Sequence, residues 1–234
     1  MTDSVDLSAG YSYVPEHFRQ TDAQCISETI ARHPFATLVV NGAPYPLCAQ
    51  LPFLHFGQKH QPDSWLFESH LARKNPVAQN LDAQPESNSN ALLVFHGPDA
   101  YINPYWYVDS QETSVPTWNY QAVHIRGQVS LVKNQPEQWL DQHLNQLIAT
   151  HQTRIYASGF DYHHLPEKQR QSMLKAIVGL RFIPKAIDAI DKLSQNKTSA
   201  DRSAVVQALS QPDRNFAQQA TAALMAQISL EKDD

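Results

Sequence analysis

Ala122–Val132 is the most constraining stretch of this chain. Apolar Val123, Ile125, Val129 and Leu131 alternate there with polar His124, Arg126 and Gln128. A period of two sends one set to each face of an extended strand, a pattern no helix reproduces. Gly127 inside it permits a bulge or a close backbone approach. Other short extended runs surround it. Phe35–Val40 is rich in β-branched residues, and Asn41-Gly42 after it is a two-residue hairpin signal. The strand expected next, about Tyr45–His55, contains Pro46 and Pro52; proline has no N–H for a ladder, so this strand belongs at an edge or carries a bulge. Trp65–Ser69, Ala91–His96, Tyr101–Ile102, Ile177–Ile183 and Ile187–Leu193 read as further strands, with a turn at His96-Gly97-Pro98-Asp99.

Helices separate these runs. Thr21-x-x-Gln24 resembles a capping box opening a helix with Cys25, Ile26, Thr29 and Ile30 on one stripe, which His33-Pro34 ends. Asn75-Pro76 supplies a cap and a first-turn proline for a helix to about Leu81. Pro136–Gln152 is amphipathic through Leu140, Leu144, Leu147 and His151; Pro166–Ala176, Ala200–Leu209 and Phe216–Leu230 follow. Gln84–Asn90 is a polar loop, and Asn103–Thr117 is a long loop heavy in aromatics and proline. Short strands around turn signals, with helices before, between and after, predict an α+β fold with a β-barrel core.

The bulk numbers exclude several classes. With 42% hydrophobic and 18% charged residues over 234 positions, the chain can bury a sizeable core. A net charge of −5 argues against broad binding to nucleic acid, which needs many cation–phosphate contacts. Cys25 and Cys48 form no CxxC and suit a reducing cytosol, as free thiols in or near the core. The first ten residues carry no secretory pattern, and apolar runs such as Ala36–Val40 are too short to span a bilayer. A cytoplasmic protein is expected. The 11 histidines are scattered without metal-ligand spacing, so no metal site is expected. GxGxxG, P-loop, HExxH and GxSxG signatures are absent.

Four stretches place polar or aromatic residues where a core strand needs neither. Ser69-His70-Leu71-Ala72-Arg73-Lys74-Asn75-Pro76 joins a strand to a helix start; two cations and free N–H groups there suit a phosphate, or simply a solvated cap. Val115-Pro116-Thr117-Trp118-Asn119-Tyr120 reads as a proline-anchored loop able to cover a flat heteroaromatic ring, or as a loop pinned by buried aromatics. His124-x-Arg126 forms a polar strand face. Lys192-Leu193-Ser194-Gln195-Asn196 could serve a ligand's polyol or ring edge, or cap the next helix. Together they describe a cavity for a flat, anionic, polyhydroxylated ligand, of which FMN is one candidate and another nucleotide a second.

In order, His33-Pro34-Phe35-Ala36-Thr37-Leu38, Leu51-Pro52-Phe53-Leu54, His70-Leu71-Ala72-Arg73-x-Asn75-Pro76, Phe95-His96-Gly97-Pro98-x-Ala100-Tyr101, Pro116 to His124 and Lys192-Leu193-Ser194-Gln195-Asn196 resemble the PaiB-like, FMN-binding negative transcriptional regulator family, a branch of the flavin-binding split barrels. The resemblance covers about residues 11–210. It implies a split β-barrel with peripheral helices over residues 13–195, while residues 1–12 read as a flexible tail and 196–234 as a C-terminal helical extension. It further implies a homodimer with FMN at its interface. On this resemblance Gln50, Leu51 and Pro52 run beside the flavin ring and ribityl chain. Ser69 and His70 meet the ribityl-phosphate end, and Arg73 and Lys74 face the phosphate. Trp118, Asn119 and Tyr120 approach the ring, from this subunit or its partner, and Lys192 and Gln195 complete the set. Two departures stand out: Gln50 replaces the histidine relatives often carry before Leu-Pro-Phe, and Gln58–Ser64 is a polar insertion.

The expected function is a flavin-linked protein of the oxidoreductase type. The alternatives are a transcriptional regulator acting on DNA directly or through a partner, and a flavin-binding module without chemistry.

Overall fold

The computed structural model describes residues 4–7, 10–83, 89–152 and 160–230. Of the expected loop Gln84–Asn90, residues 84–88 lie outside these, as do parts of the N-terminal stretch and the last four residues.

The fold is α+β, with β1 (Arg19–Gln20), α1 (Ala23–Arg32), β2 (Phe35–Val40), β3 (Leu47–Pro52), β4 (Leu54–Phe56), β5 (Leu66–Ala72) and α2 (Pro76–Ala83) in its first third. Then come β6 (Asn90–Ile102), β7 (Thr117–Leu131), α3 (Pro136–Gln152), α4 (Glu167–Ala176), β8 (Ile177–Lys192), α5 (Ser199–Leu209) and α6 (Phe216–Leu230). The strand order is β3-β2-β6-β7-β8-β5-β4, with β1 paired to β8. The proline-bearing stretch after β2 is split into β3 and β4, and both lie at the ends of this order, where a missing N–H leaves no gap in a central ladder.

Two compact units divide the chain, and β6, β7 and β8 contribute to both. The first comprises Met1–Asp6, Pro34–Val94 and Ile125–Ala186. Its core is built on Leu38, Phe53, Phe67, Leu93, Ile125, Leu140, Leu180 and Phe182, all at most 2% exposed. Each such side chain contributes about 1.5–3 kcal/mol by leaving water. Phe67 lies opposite Phe182 in the β5–β8 register, and the rings meet edge to face at 6.2 Å. Gly127 allows β7 to approach β8 closely: a Cβ there would run into the carbonyl oxygen of Ile183.

The second unit comprises Leu7–His33, Phe95–His124 and Ile187–Asp234. Here α5 and α6 share a cluster with Ala100, Ile102, Tyr107 and Leu193, through Val205, Leu209, Ala222 and Met225. Two buried carboxylates organise its loops. Asp188 accepts from the N–H groups of Gly10 and Ser12 and pairs with Arg19. Asp201 accepts from the N–H groups of Val108 and Asp109 and from the hydroxyl of Ser110.

Several local expectations are corrected. The N-cap of α1 is Asp22, whose Oδ1 accepts from Cys25 N at 2.8 Å, one residue past the expected Thr21. Asn41-Gly42 does not make a two-residue hairpin: pairing starts at Val40↔Leu47, and Gly42 lacks the positive φ a type I′ turn needs. Pro44 and Pro46, without N–H donors, push the first ladder pair out to Leu47.

His96-Gly97-Pro98-Asp99 is not a turn but part of the continuous strand β6. β2 pairs β6 over Ala91–Val94, so Pro98 lies past that ladder. Likewise β8 runs unbroken through Pro184, with Phe182 and Pro184 buried between exposed neighbours. β5 pairs β8 up to Phe182 and β1 pairs it from Ala189, so Pro184 falls between the two. Both cysteines are exposed rather than in the core.

Candidate functional site

In the first unit, β3, β5 and the start of α2 carry one group of candidates. Pro52 ends β3, and its carbonyl accepts the hydroxyl of fully buried Ser69 at 2.7 Å. Leu51 is buried and Gln50 exposed, as alternation along β3 requires. Ser69 and His70 are consecutive in β5, so their side chains leave opposite faces. Ser69 serves Pro52, whereas the half-buried ring of His70 meets His143 of α3, with Nδ1 to Nε2 at 3.1 Å. Burial lowers the pKa of His70.

Arg73 and Lys74 follow β5 and are both exposed. Arg73 gives Nε to the carbonyl of Lys175 and Nη2 to that of Ile177, which anchors the guanidinium and leaves further N–H groups for a ligand. Asn75 caps α2, its Oδ1 accepting from Val77 N at 2.9 Å. The structure thus brings Pro52, Ser69, His70 and the two cations together on neighbouring segments.

The second group sits in the other unit. Trp118, Asn119 and Tyr120 belong to the start of β7, not to a loop, because β-branched and aromatic residues continue the strand back to Thr117. Trp118 is 53% exposed and meets Tyr101 edge-on at 6.1 Å. Asn119 is buried, its Nδ2 donating to the hydroxyl of Ser194 at 2.9 Å. Tyr120 packs against Val14, Phe18 and Ile190. Lys192 donates to Thr117 Oγ1 at 2.5 Å, and burial lowers its pKa. Gln195 folds back on its own turn, accepting from Leu193 N and donating to the carbonyl of Asp191. Asn119 and Gln195 therefore spend these polar groups on the chain itself. In His124-x-Arg126, Nδ1 of His124 meets the hydroxyl of Ser12 at 2.9 Å.

A cluster the sequence reading did not single out lies over the β5–β8 pair. His143 of α3 is 3% exposed, and burial, reinforced by nearby His70, holds its pKa down at about 3. Trp139 stacks on it at 4.8 Å and 8°. Arg181 lies over Trp139 at 5.8 Å and pairs with Glu68 at 2.8 Å. The available signal was a polar residue between Leu140 and Leu147 on the apolar stripe of α3. Trp139 and Arg181 also line a concavity of about 330 Å³ with Lys133 and Gln138, which none of the expected site residues enters.

The family described as "Putative FMN-binding domain" matches residues 12–184. The chain belongs to this PaiB-like FMN-binding family. One relative in it, protease synthase and sporulation protein PAI 2 of Bacillus subtilis, is 32% identical over 207 residues, covering 88% of this chain and 93% of that protein. Among solved structures, the flavocytochrome Anf3 of Azotobacter vinelandii aligns with a TM-score of 0.54 at 11% identity, over 80% of this chain and 75% of that one. The FAD and heme binding protein of Mycobacterium smegmatis aligns at 0.51 and 11%, over 80% and 78%. At such identities these two speak for the fold alone, which is the split barrel of this family. Among the described residues, no helix is long and apolar enough to cross a membrane.

Proposed function

We propose that this chain binds FMN as a resident cofactor in a homodimer and works in electron transfer of the oxidoreductase type. The observation that carries the reading is the FMN-binding family match over residues 12–184, a span that contains the cation pair Arg73–Lys74 behind the half-buried imidazole of His70. That donor set fits a phosphate monoester: two cations and an imidazole nitrogen beside a capped helix start. Gln50, Leu51 and Pro52 would hold the ring and ribityl chain, with Ser69 bracing Pro52 from behind. Trp118, Tyr120 and Lys192, of this subunit or its partner, would contact the flavin, with Asn119 and Gln195 keeping the segments that carry them in place. When bound, the flavin supplies the redox chemistry; the protein's part is to bind the phosphate, orient the ring and limit its contact with water. The exposed Trp118–Tyr101 pair is apolar surface that a homodimer would cover.

An absorbance scan before and after adding FMN and desalting tests this. Bands at about 370 and about 450 nm retained at one flavin per chain are expected. No retention with excess FMN removes the cofactor from the account. The regulator reading is favoured instead if a promoter fragment is shifted with steep salt dependence; the net charge of −5 speaks against it. A cytoplasmic location fits the same reading.

A further inference from the structure

His70 and His143 face each other from β5 and α3, with their rings at 74° and Nδ1 of His70 3.1 Å from Nε2 of His143. The other nitrogen of His143, Nδ1, is buried with no hydrogen-bond partner among the described residues. The ring cannot turn freely to find one, because Trp139 lies flat against it. Trp139 is itself seated over Gly179, where a Cβ would collide with its ring. Gly179 is the residue opposite His70 in the β5–β8 register, so the missing side chain makes room for the group that clamps His143. Burial keeps both imidazoles below their ordinary pKa, and each is neutral at pH 7.

A neutral imidazole carries one N–H and one lone pair. If His143 held its proton on Nδ1, a buried N–H would have no acceptor. If it holds the proton on Nε2, only a lone pair is buried at Nδ1. Orphaned buried donors are rarer than under-satisfied acceptors, and the second arrangement also uses the proton in the contact with His70. His143 then donates, His70 Nδ1 accepts, and the proton of His70 must sit on its Nε2. The contact with His143 engages only Nδ1 of His70.

We infer that His143 is a positioning residue that fixes His70 as its Nε2–H tautomer, so that His70 offers a hydrogen-bond donor to a phosphate or hydroxyl oxygen of the cofactor. This rests on the placement of His70 at the ribityl-phosphate end proposed above. A lone pair at that position would face the acceptor-only oxygens of a phosphate and repel them; the tautomer decides between the two.

The test is a long-range nitrogen–proton correlation spectrum of the imidazoles in the full-length, ¹⁵N-labelled protein at pH 7, without and with FMN. His70 protonated on Nε2 and bare on Nδ1, with His143 bare on Nδ1, is expected in both states. His143→Gln, which keeps an amide donor, should retain the His70 tautomer and FMN affinity. His143→Leu should leave His70 a mixture of tautomers and weaken FMN binding about twofold, in proportion to the fraction of His70 no longer in the donor form. A wild-type His70 protonated on Nδ1 overturns the inference, and that spectrum decides even if His143→Leu fails to fold. A His70 tautomer unmoved by His143→Leu overturns it as well. If the tautomer responds as expected but His70→Ala binds FMN with full affinity, the donor role falls while the control of the tautomer by His143 stands, and Lys74→Ala then reports separately on the phosphate site.

Discussion

Keeping histidines neutral inside a fold ties stability to pH. Burial holds His143 at about 3, with a smaller contribution from His70, and holds His55, stacked on Phe67 at 4.7 Å, at about 4. Their unfolded values lie at about 6.5. Below that pH the unfolded chain takes up protons that the native state refuses. The stability is therefore complete above about pH 6.5 and is lost as pH falls toward 4 and then 3, by up to about 1.4 kcal/mol per pH unit for each ring. Urea midpoints measured from pH 7 down to 4 should fall steadily, and His143→Gln should flatten the slope by one histidine's share. A level wild-type profile would mean that these rings are not neutral in the native state. The cations separate by the same kind of reasoning. Lys74→Ala should weaken FMN binding by about 1.5–3 kcal/mol if it meets the phosphate. Arg73→Ala should lower thermal stability too, because Arg73 also ties the carbonyls of Lys175 and Ile177. FMN titrations at fixed salt, paired with melting curves, distinguish the two.

Among the elements, the β5–β8 pair with α3 over it and the 103–116 loop are held by different devices. In the first, Gly179 is a steric requirement: Gly179→Ala should push Trp139 off its seat and cost about 1–3 kcal/mol. Trp139 fluorescence should change with it, and an unaltered spectrum and melting point would mean the helix simply shifts. In the second, Asp201 gathers the N–H groups of Val108 and Asp109 and the Ser110 hydroxyl. Asp201→Ala should cost about 2–4 kcal/mol by stranding those donors. Hydrogen exchange should rise at Val108–Ser110 while β2 and β3 keep their protection.

Scaled up to the assembly, the flavin reading makes a joint prediction. Sedimentation of the flavin-loaded protein should give about twice the 26.4 kDa chain mass. Trp118→Ala, on an exposed aromatic pair, should alter flavin fluorescence or affinity with little change in folding, as deletion of exposed apolar surface usually does. A flavin-loaded monomer with an unaltered Trp118→Ala spectrum would remove the shared-site picture.

Local chemistry made much of this legible in advance. Phe35–Val40, Pro136–Gln152 and the Asn75-Pro76 helix start are found as read, because alternation, helical periodicity and capping act over a few residues. The six motif words identified the family for the same reason: they are contiguous. What escaped was whatever depends on a distant neighbour. Pro98 and Pro184 look like breaks in sequence, yet the strands run through them, Pro98 past the β2–β6 ladder and Pro184 between the β5 and β1 ladders on β8. Whether Ser69 and His70 share a pocket was settled by strand pleat, and whether His70 carries its proton on Nδ1 or Nε2 depends on a residue 73 positions away. The sequence by itself determined element types and family, since those follow from short-range backbone and side-chain preferences. Only the tertiary structure decided which strands run through their prolines and which face each candidate side chain takes, because those follow from packing between segments far apart in the chain.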